Sequence, residues 1–161
     1  MARAKGASAL RADHLALPVY DARATLAFYG GVLRLPLVEV HSGGDWGGKE
    51  WLMMIFGLGD GRQVSLIAFH KAKKPKANGL PQDAPHYAFA VATRDALNAW
   101  KTKLRNAEVR FDEEDHGDQQ SIYFDDPSGI RWEITAPPSK PAKPDKSARM
   151  RAEKWIAAHG R

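Results

Sequence analysis

Short apolar runs, each bounded by polar residues or turn formers, divide the chain into two similar stretches. His14-Leu-Ala-Leu-Pro-Val19 and His86-Tyr-Ala-Phe-Ala-Val91 have the length expected of half-buried strands. Behind each run, apolar residues recur at three-to-four spacing: Leu26, Tyr29 and Leu33, then Leu97, Trp100 and Leu104. That period predicts helices over residues 22–33 and 94–106. Gly30 and Gly31 weaken the end of the first helix, each by about 1 kcal/mol relative to alanine. Both stretches close on a predicted hairpin. Residues 51–56 and 63–69 flank Gly57-Leu-Gly-Asp-Gly61, and residues 121–124 and 130–135 flank Asp125-Asp-Pro-Ser-Gly129, whose Pro and Gly are turn residues.

Sliding the chain along itself by 72 residues lays His14 on His86, Ala16 on Ala88 and Val19 on Val91 without a gap. The same offset lays Phe28 on Trp100, Val32 on Leu104 and Leu37 on Val109. The chain therefore reads as two βαβββ modules, residues 10–70 and 85–136, joined by a solvated linker over 71–84. Neither module can bury a sheet face alone, so the expected fold is α+β, with the modules packed into a curved mixed sheet around a cleft. Residues 137–161 read as a proline-rich spacer followed by a basic helix over 147–159, or a disordered tail. In the helical reading Trp155 and Ile156 dock on the chain's own body or on a partner subunit.

Strand alternation places His14 and His86 on opposite walls of the cleft, with Glu133 from the last strand of the second wall. Glu133 lies nine residues after Phe124, and nine residues after Phe56 the first module has Ser65 instead. Two imidazoles and a carboxylate on separate strands can hold a divalent cation on one side, leaving positions for water, dioxygen or substrate. The plainer reading of a single strand histidine is a half-buried, hydrogen-bonded side chain; repetition at 14 and 86 favours ligation. A carboxylate facing inward between Trp132 and Ile134 would cost several kcal/mol unless it meets a cation. Tyr123 is either a packing aromatic or a group that bonds a substrate oxygen or moves a proton. Ser65 reads either as a substrate contact or as an ordinary strand serine, and His116 sits in a loop.

Composition narrows the alternatives. The absence of cysteine excludes disulfides, thiolate zinc sites and cysteine nucleophiles. No apolar stretch approaches the roughly 18 residues of a membrane span, and the first residues lack an apolar signal core, so the expected location is the cytoplasm. The net charge of +5 resides in residues 138–161, where seven Lys/Arg face two acidic residues, while the body is balanced. A neutral body with a basic tail is weak evidence for nucleic acid as the partner.

These words in this order resemble the vicinal oxygen chelate superfamily, the glyoxalase, bleomycin-resistance protein and extradiol dioxygenase group. The resemblance spans about residues 10–136 and rests on Asp13-His14-Leu-Ala-Leu-Pro-Val19, Ala27-Phe-Tyr29, Pro85-His-Tyr-Ala-Phe-Ala-Val91 and Ser121-Ile-Tyr-Phe-Asp-Asp-Pro-Ser-Gly-Ile-Arg-Trp-Glu-Ile134. It implies a homodimer, a small-molecule substrate and a divalent metal held by His14, His86 and Glu133. Among its branches, extradiol enzymes use three ligands on Fe(II), with a tyrosine where Tyr123 stands and a loop histidine for which His116 is the counterpart. That branch implies ring cleavage of a catechol-like substrate. Lactoylglutathione lyases add a fourth ligand at the place of Ser65, and fosfomycin-modifying members carry a threonine where this chain has Ala16. A lyase or thiol transferase with Mn(II), Zn(II) or Ni(II) is the second reading. A metal-free binding protein of the bleomycin-resistance type is the third. The substrate is expected to be set by cleft residues and a loop over 42–49.

Overall fold

The computed structural model of the protein describes residues 12–76, 84–140, 145 and 147–159. Two modules follow one another. The first holds β1 (His14–Val19), α1 (Ala22–Leu26), β2 (Leu37–Trp46), β3 (Lys49–Gly57) and β4 (Gln63–Phe69). The second holds β5 (Tyr87–Ala90), α2 (Arg94–Asn106), β6 (Asp112–Asp115), β7 (Gln120–Asp125) and β8 (Arg131–Ala136), and α3 (Ala148–His159) comes last. Each module makes a four-stranded mixed sheet, ordered β1-β4-β3-β2 and β5-β8-β7-β6. In both sheets the first strand lies parallel to the last, and the other pairs are antiparallel. The repeat read from the sequence is thus a repeat of topology.

Local chemistry explains the helix starts. Asp21 and Thr93 cap α1 and α2, accepting from the amides of Ala24 (2.9 Å) and Ala96 (3.2 Å) and satisfying donors that have no partner within the helix. The predicted helix over 22–33 is corrected in its second half. After Leu26 it widens into a π-helix over Ala27–Val32, which contains the two glycines. The wider turn keeps Phe28 and Tyr29 buried. The loop expected over 42–49 is also corrected: β2 extends through Trp46, so only residues 47 and 48 separate it from β3. Both are glycines at positive φ, 60° and 71°, the backbone a two-residue hairpin turn requires. Gly129, at φ 82°, does the same service in the β7–β8 turn.

One core joins the modules. Leu17, Tyr29, Phe56 and Leu66 from the first belong to the same buried cluster as Leu104, Ile122, Phe124 and Trp132 from the second. A polar latch runs through it. Trp132 Nε1 donates to the Tyr29 hydroxyl (2.8 Å), which donates to Asp126 (2.9 Å). Asp126 also accepts from the backbone amides of Ser128 and Ile130, both at 2.8 Å. The hairpin turn of the second module is thereby tied to the helix of the first, and every polar group in the chain of contacts has a partner, as burial demands.

The segments at the edges are partly outside the described residues: 10 and 11 of the first module, 77–83 of the linker, and 141–144 and 146 of the spacer. The expected C-terminal helix is present. Docking on its own body is corrected, because α3 has no buried residue, with Trp155 and Ile156 exposed at 59% and 48%. Among the described residues no helix is long and apolar enough to cross a membrane.

Candidate metal centre

Pairing in the second sheet assembles a polar face from alternate residues of three strands. Ala88 lies opposite Glu133 and Tyr123 opposite Glu133 from the other side, so these side chains, and those two residues away along each strand, project to one face. His86, just before β5, brings Nε2 to 3.3 Å from Glu133 Oε2. Glu133 is 8% exposed, and its other oxygen accepts from the Ser121 hydroxyl at 2.6 Å. The inward orientation expected of Glu133 is what the structure has.

Tyr123 stands beside this pair. Its ring lies edge-on to that of His86, with centroids 5.7 Å apart, and its hydroxyl is 3.2 Å from His116 Nε2. Burial, then the charge of Glu133, raises the Tyr123 phenol above its ordinary range, so it holds its proton at neutral pH. Arg131 adds a cation 5.7 Å above the Tyr123 ring and bonds Asp112 at 2.6 Å. His86, Glu133, Tyr123 and His116 therefore form one contiguous array.

The first module contributes differently. In its register Ala16 lies opposite Ser65 as Ala88 does opposite Glu133, so Ser65 holds the carboxylate's place, as counted from the sequence. It is buried. His14 opens β1, exposed, with Nδ1 2.7 Å from Asp13 Oδ1. A carboxylate on Nδ1 leaves Nε2 as the lone-pair nitrogen, the tautomer a ligand needs. His14 and His86 both border a cavity of about 740 Å³ between the modules; Glu133, Tyr123 and His116 lie outside its lining. Among the described residues no three His, Asp or Glu side chains gather into a metal-binding cluster. The structure brings together the second module's donors and leaves His14 out of their cluster.

The donors present can be tested against a divalent cation. Two ligands bound at about 2.1 Å to one ion at near-tetrahedral or octahedral angles lie about 3.0–3.4 Å apart. The 3.3 Å between His86 and Glu133 fits that spacing; it equally fits an ion pair when His86 is protonated. Ser121 fits as a support, since carboxylate ligands are held by a hydrogen bond from behind. Ser121, Asp13 and Arg131 were not singled out in the sequence. Ser121 and Arg131 are each two residues from a candidate on the same strand, so alternation alone could have flagged both.

A family model described as the Glyoxalase/Bleomycin resistance protein/Dioxygenase superfamily matches residues 11–134. The metallothiol transferase FosB of Bacillus licheniformis is 32% identical over 71 residues, 42% of this chain and 46% of that protein. The chain thus aligns with less than half the length of that relative. Among solved structures, a glyoxylase/bleomycin resistance protein/dioxygenase domain from Frankia sp. EAN1pec superposes with a TM-score of 0.66 at 18% identity, covering 80% of this chain and 98% of that one. A lactoylglutathione lyase from Agrobacterium tumefaciens gives 0.58 at 23% identity, covering 81% and 95%. At such identities the structures speak to the fold alone.

Proposed function

The chain belongs to the Glyoxalase/Bleomycin resistance protein/Dioxygenase superfamily, and from there we propose a metal-dependent enzyme acting on a small substrate that chelates through adjacent oxygens. The favoured reaction is extradiol-type cleavage of a catechol-like ring. The observation that carries it is the contiguity of two pairs: His86 with Glu133 at 3.3 Å, and Tyr123 with His116 at 3.2 Å. The first is a ligand pair and the second a proton-transfer pair.

His86, Glu133 and His14 would hold the ion, Fe(II) for ring cleavage, with His14 reaching it from across the cavity or from a second copy of the chain. A donor set of nitrogen and oxygen without sulfur suits Fe(II), Mn(II), Zn(II) or Ni(II). Such an ion supplies Lewis acidity toward the chelating oxygens. The chain's own residues do the rest. Ser121 fixes the Glu133 carboxylate so that one oxygen stays turned to His86. Tyr123, kept protonated, donates a hydrogen bond to a substrate oxygen. His116, exposed at the turn, passes a proton between the Tyr123 hydroxyl and solvent.

A second reading, thiol transfer or a glyoxalase-type lyase reaction, is favoured by the match to the metallothiol transferase. Metal analysis of protein purified without chelator, followed by oxygen uptake with catechols and turnover with thiols, separates the readings. Iron with catechol-dependent uptake supports the first, and thiol-dependent turnover with Mn(II), Zn(II) or Ni(II) the second. Failure of any of these ions to bind wild type, or equal binding by Glu133→Gln and His86→Ala, removes both and leaves a metal-free binding protein.

A further inference from the structure

The C-terminal segment takes no part in the site. Residues 138–161 hold seven Lys/Arg against Asp145 and Glu153, while the body before them is electrically balanced. Both acids are engaged within the segment, Asp145 by Arg151 and Glu153 by Arg149. Seven less two leaves five positive charges for something else to meet. The body does not offer its densest acidic stretch, β6, because Asp112 pairs with Arg131 and Glu113 with Lys101 and Arg105. Large apolar side chains stand among the charges of α3. Met150, Trp155 and Ile156 are exposed at 64%, 59% and 48%, and no residue of the helix is buried. With 3.6 residues per turn, Ala148, Ala152, Trp155 and Ile156 share one face of α3, bordered by Arg149 beside Ile156 and by Arg151 beside Trp155. His159 stacks on the Trp155 ring with centroids 4.5 Å apart and continues that face.

We propose that α3 docks on an anionic lipid surface, a bilayer that carries acidic headgroups. The headgroup layer meets the five charges, and the acyl boundary beneath it takes Trp155 and Ile156. A nucleic-acid backbone would answer the charge and leave Ile156 in water. Arg149 and Arg151 suit the border of the apolar face, since their stems lie along hydrocarbon while the guanidinium groups stay at headgroup level. Twelve residues are too few to span a bilayer, so the helix lies in the plane of the interface. Prolines at 137, 138, 141 and 144 separate it in sequence from β8. Nothing in this surface depends on the metal centre.

The test is co-sedimentation of the full chain, and of the chain ended after Lys140, with phosphatidylcholine vesicles with and without phosphatidylserine. The full chain should bind only the phosphatidylserine vesicles. Its affinity should fall at least tenfold as salt rises from about 0.1 M to 1 M, where the screening length shrinks from about 10 Å to 3 Å. The shortened chain should not bind. Lys143→Gln with Lys146→Gln should weaken binding by roughly 10- to 30-fold, each basic residue near such a surface being worth about fivefold. Trp155→Ala should weaken it at least about fivefold through lost apolar burial. Because α3 buries no residue, these variants leave the body intact, which near-UV circular dichroism verifies. The proposal is overturned if the full chain does not sediment with phosphatidylserine vesicles, if the shortened chain sediments equally well, or if Trp155→Ala binds with unchanged affinity. Tail-dependent binding of a short DNA duplex without vesicle binding overturns it in favour of nucleic acid, and self-association of the full chain without vesicle binding in favour of a second copy.

Discussion

At the scale of single residues, the candidate centre depends on what holds the Glu133 carboxylate. A buried acid left without a donor turns, takes a proton or draws in water, each at a cost of kcal/mol. Ser121 prevents this with a 2.6 Å bond to one oxygen while the other faces His86. Ser121→Ala removes the bond without touching a proposed ligand. The expected outcome is a 10- to 100-fold loss of Mn(II) or Zn(II) affinity by calorimetry, the usual size for a supporting partner, with the urea midpoint little changed. Unaltered affinity would separate Ser121 from the metal. Much of this site was legible beforehand. The repeat gave His14 and His86 their equivalence, and the count to Ser65 agrees with strand register. What stayed hidden was distance: alternation assigns a side chain to a face but not its reach, and nothing in the words around His14 reveals that Asp13 holds its ring or that it forms no cluster with His86 and Glu133.

Between elements, the Tyr29 hydroxyl is the hinge pin, joining the first module's helix to the β7–β8 turn through Asp126 and to β8 through Trp132. Tyr29→Phe strands a buried carboxylate oxygen and an indole N–H, so a loss of about 2–4 kcal/mol is expected in urea unfolding at pH 7. Burial and the neighbouring Asp126 charge raise the Tyr29 phenol far above its ordinary range. The folded chain therefore keeps a proton that the unfolded chain releases near pH 10, and this contribution is intact below that pH and lost as pH rises beyond it. The gap between wild type and Tyr29→Phe should accordingly narrow above about pH 10; a gap constant to pH 11 would deny the phenol that role. Gly31 offers the opposite sign. A methyl group there meets nothing within 4 Å and its φ is not positive, so Gly31→Ala should raise stability by up to about 1 kcal/mol, read as a higher melting temperature. The elements were legible where pattern and caps agree: His14–Val19 and Arg94–Asn106 have the predicted bounds. They were illegible where tertiary pairing overrides composition. β6 is four consecutive acids, Asp112–Asp115, held as a strand only by pairing with β7, and the Gly-rich end of β2 pairs with β3 although its residues read as loop.

For the molecule as a whole, burial divides the chain at about residue 137. Before it, both modules feed one core, and Trp132 and Phe124 are nearly solvent-free partly because Tyr29 and Phe28 lie against them. After it, the twelve residues of α3 bury nothing, and residues 138–161 hold the entire net charge of +5. A helix of that length has little stability of its own in water, so its cohesion rests on ion pairs such as Arg149 with Glu153 (2.7 Å), which are worth a few tenths of a kcal/mol. α3 thus contributes surface charge and exposed apolar area at Met150, Trp155 and Ile156, and no buried residue. Ending the chain after Lys140 should leave the unfolding free energy from urea titration at low protein concentration unchanged within about 0.5 kcal/mol. A two-state transition with the same slope would accompany it. If the full chain instead loses stability in step with dilution while the shortened chain does not, α3 is buried against a second copy, and the tail belongs to the assembly.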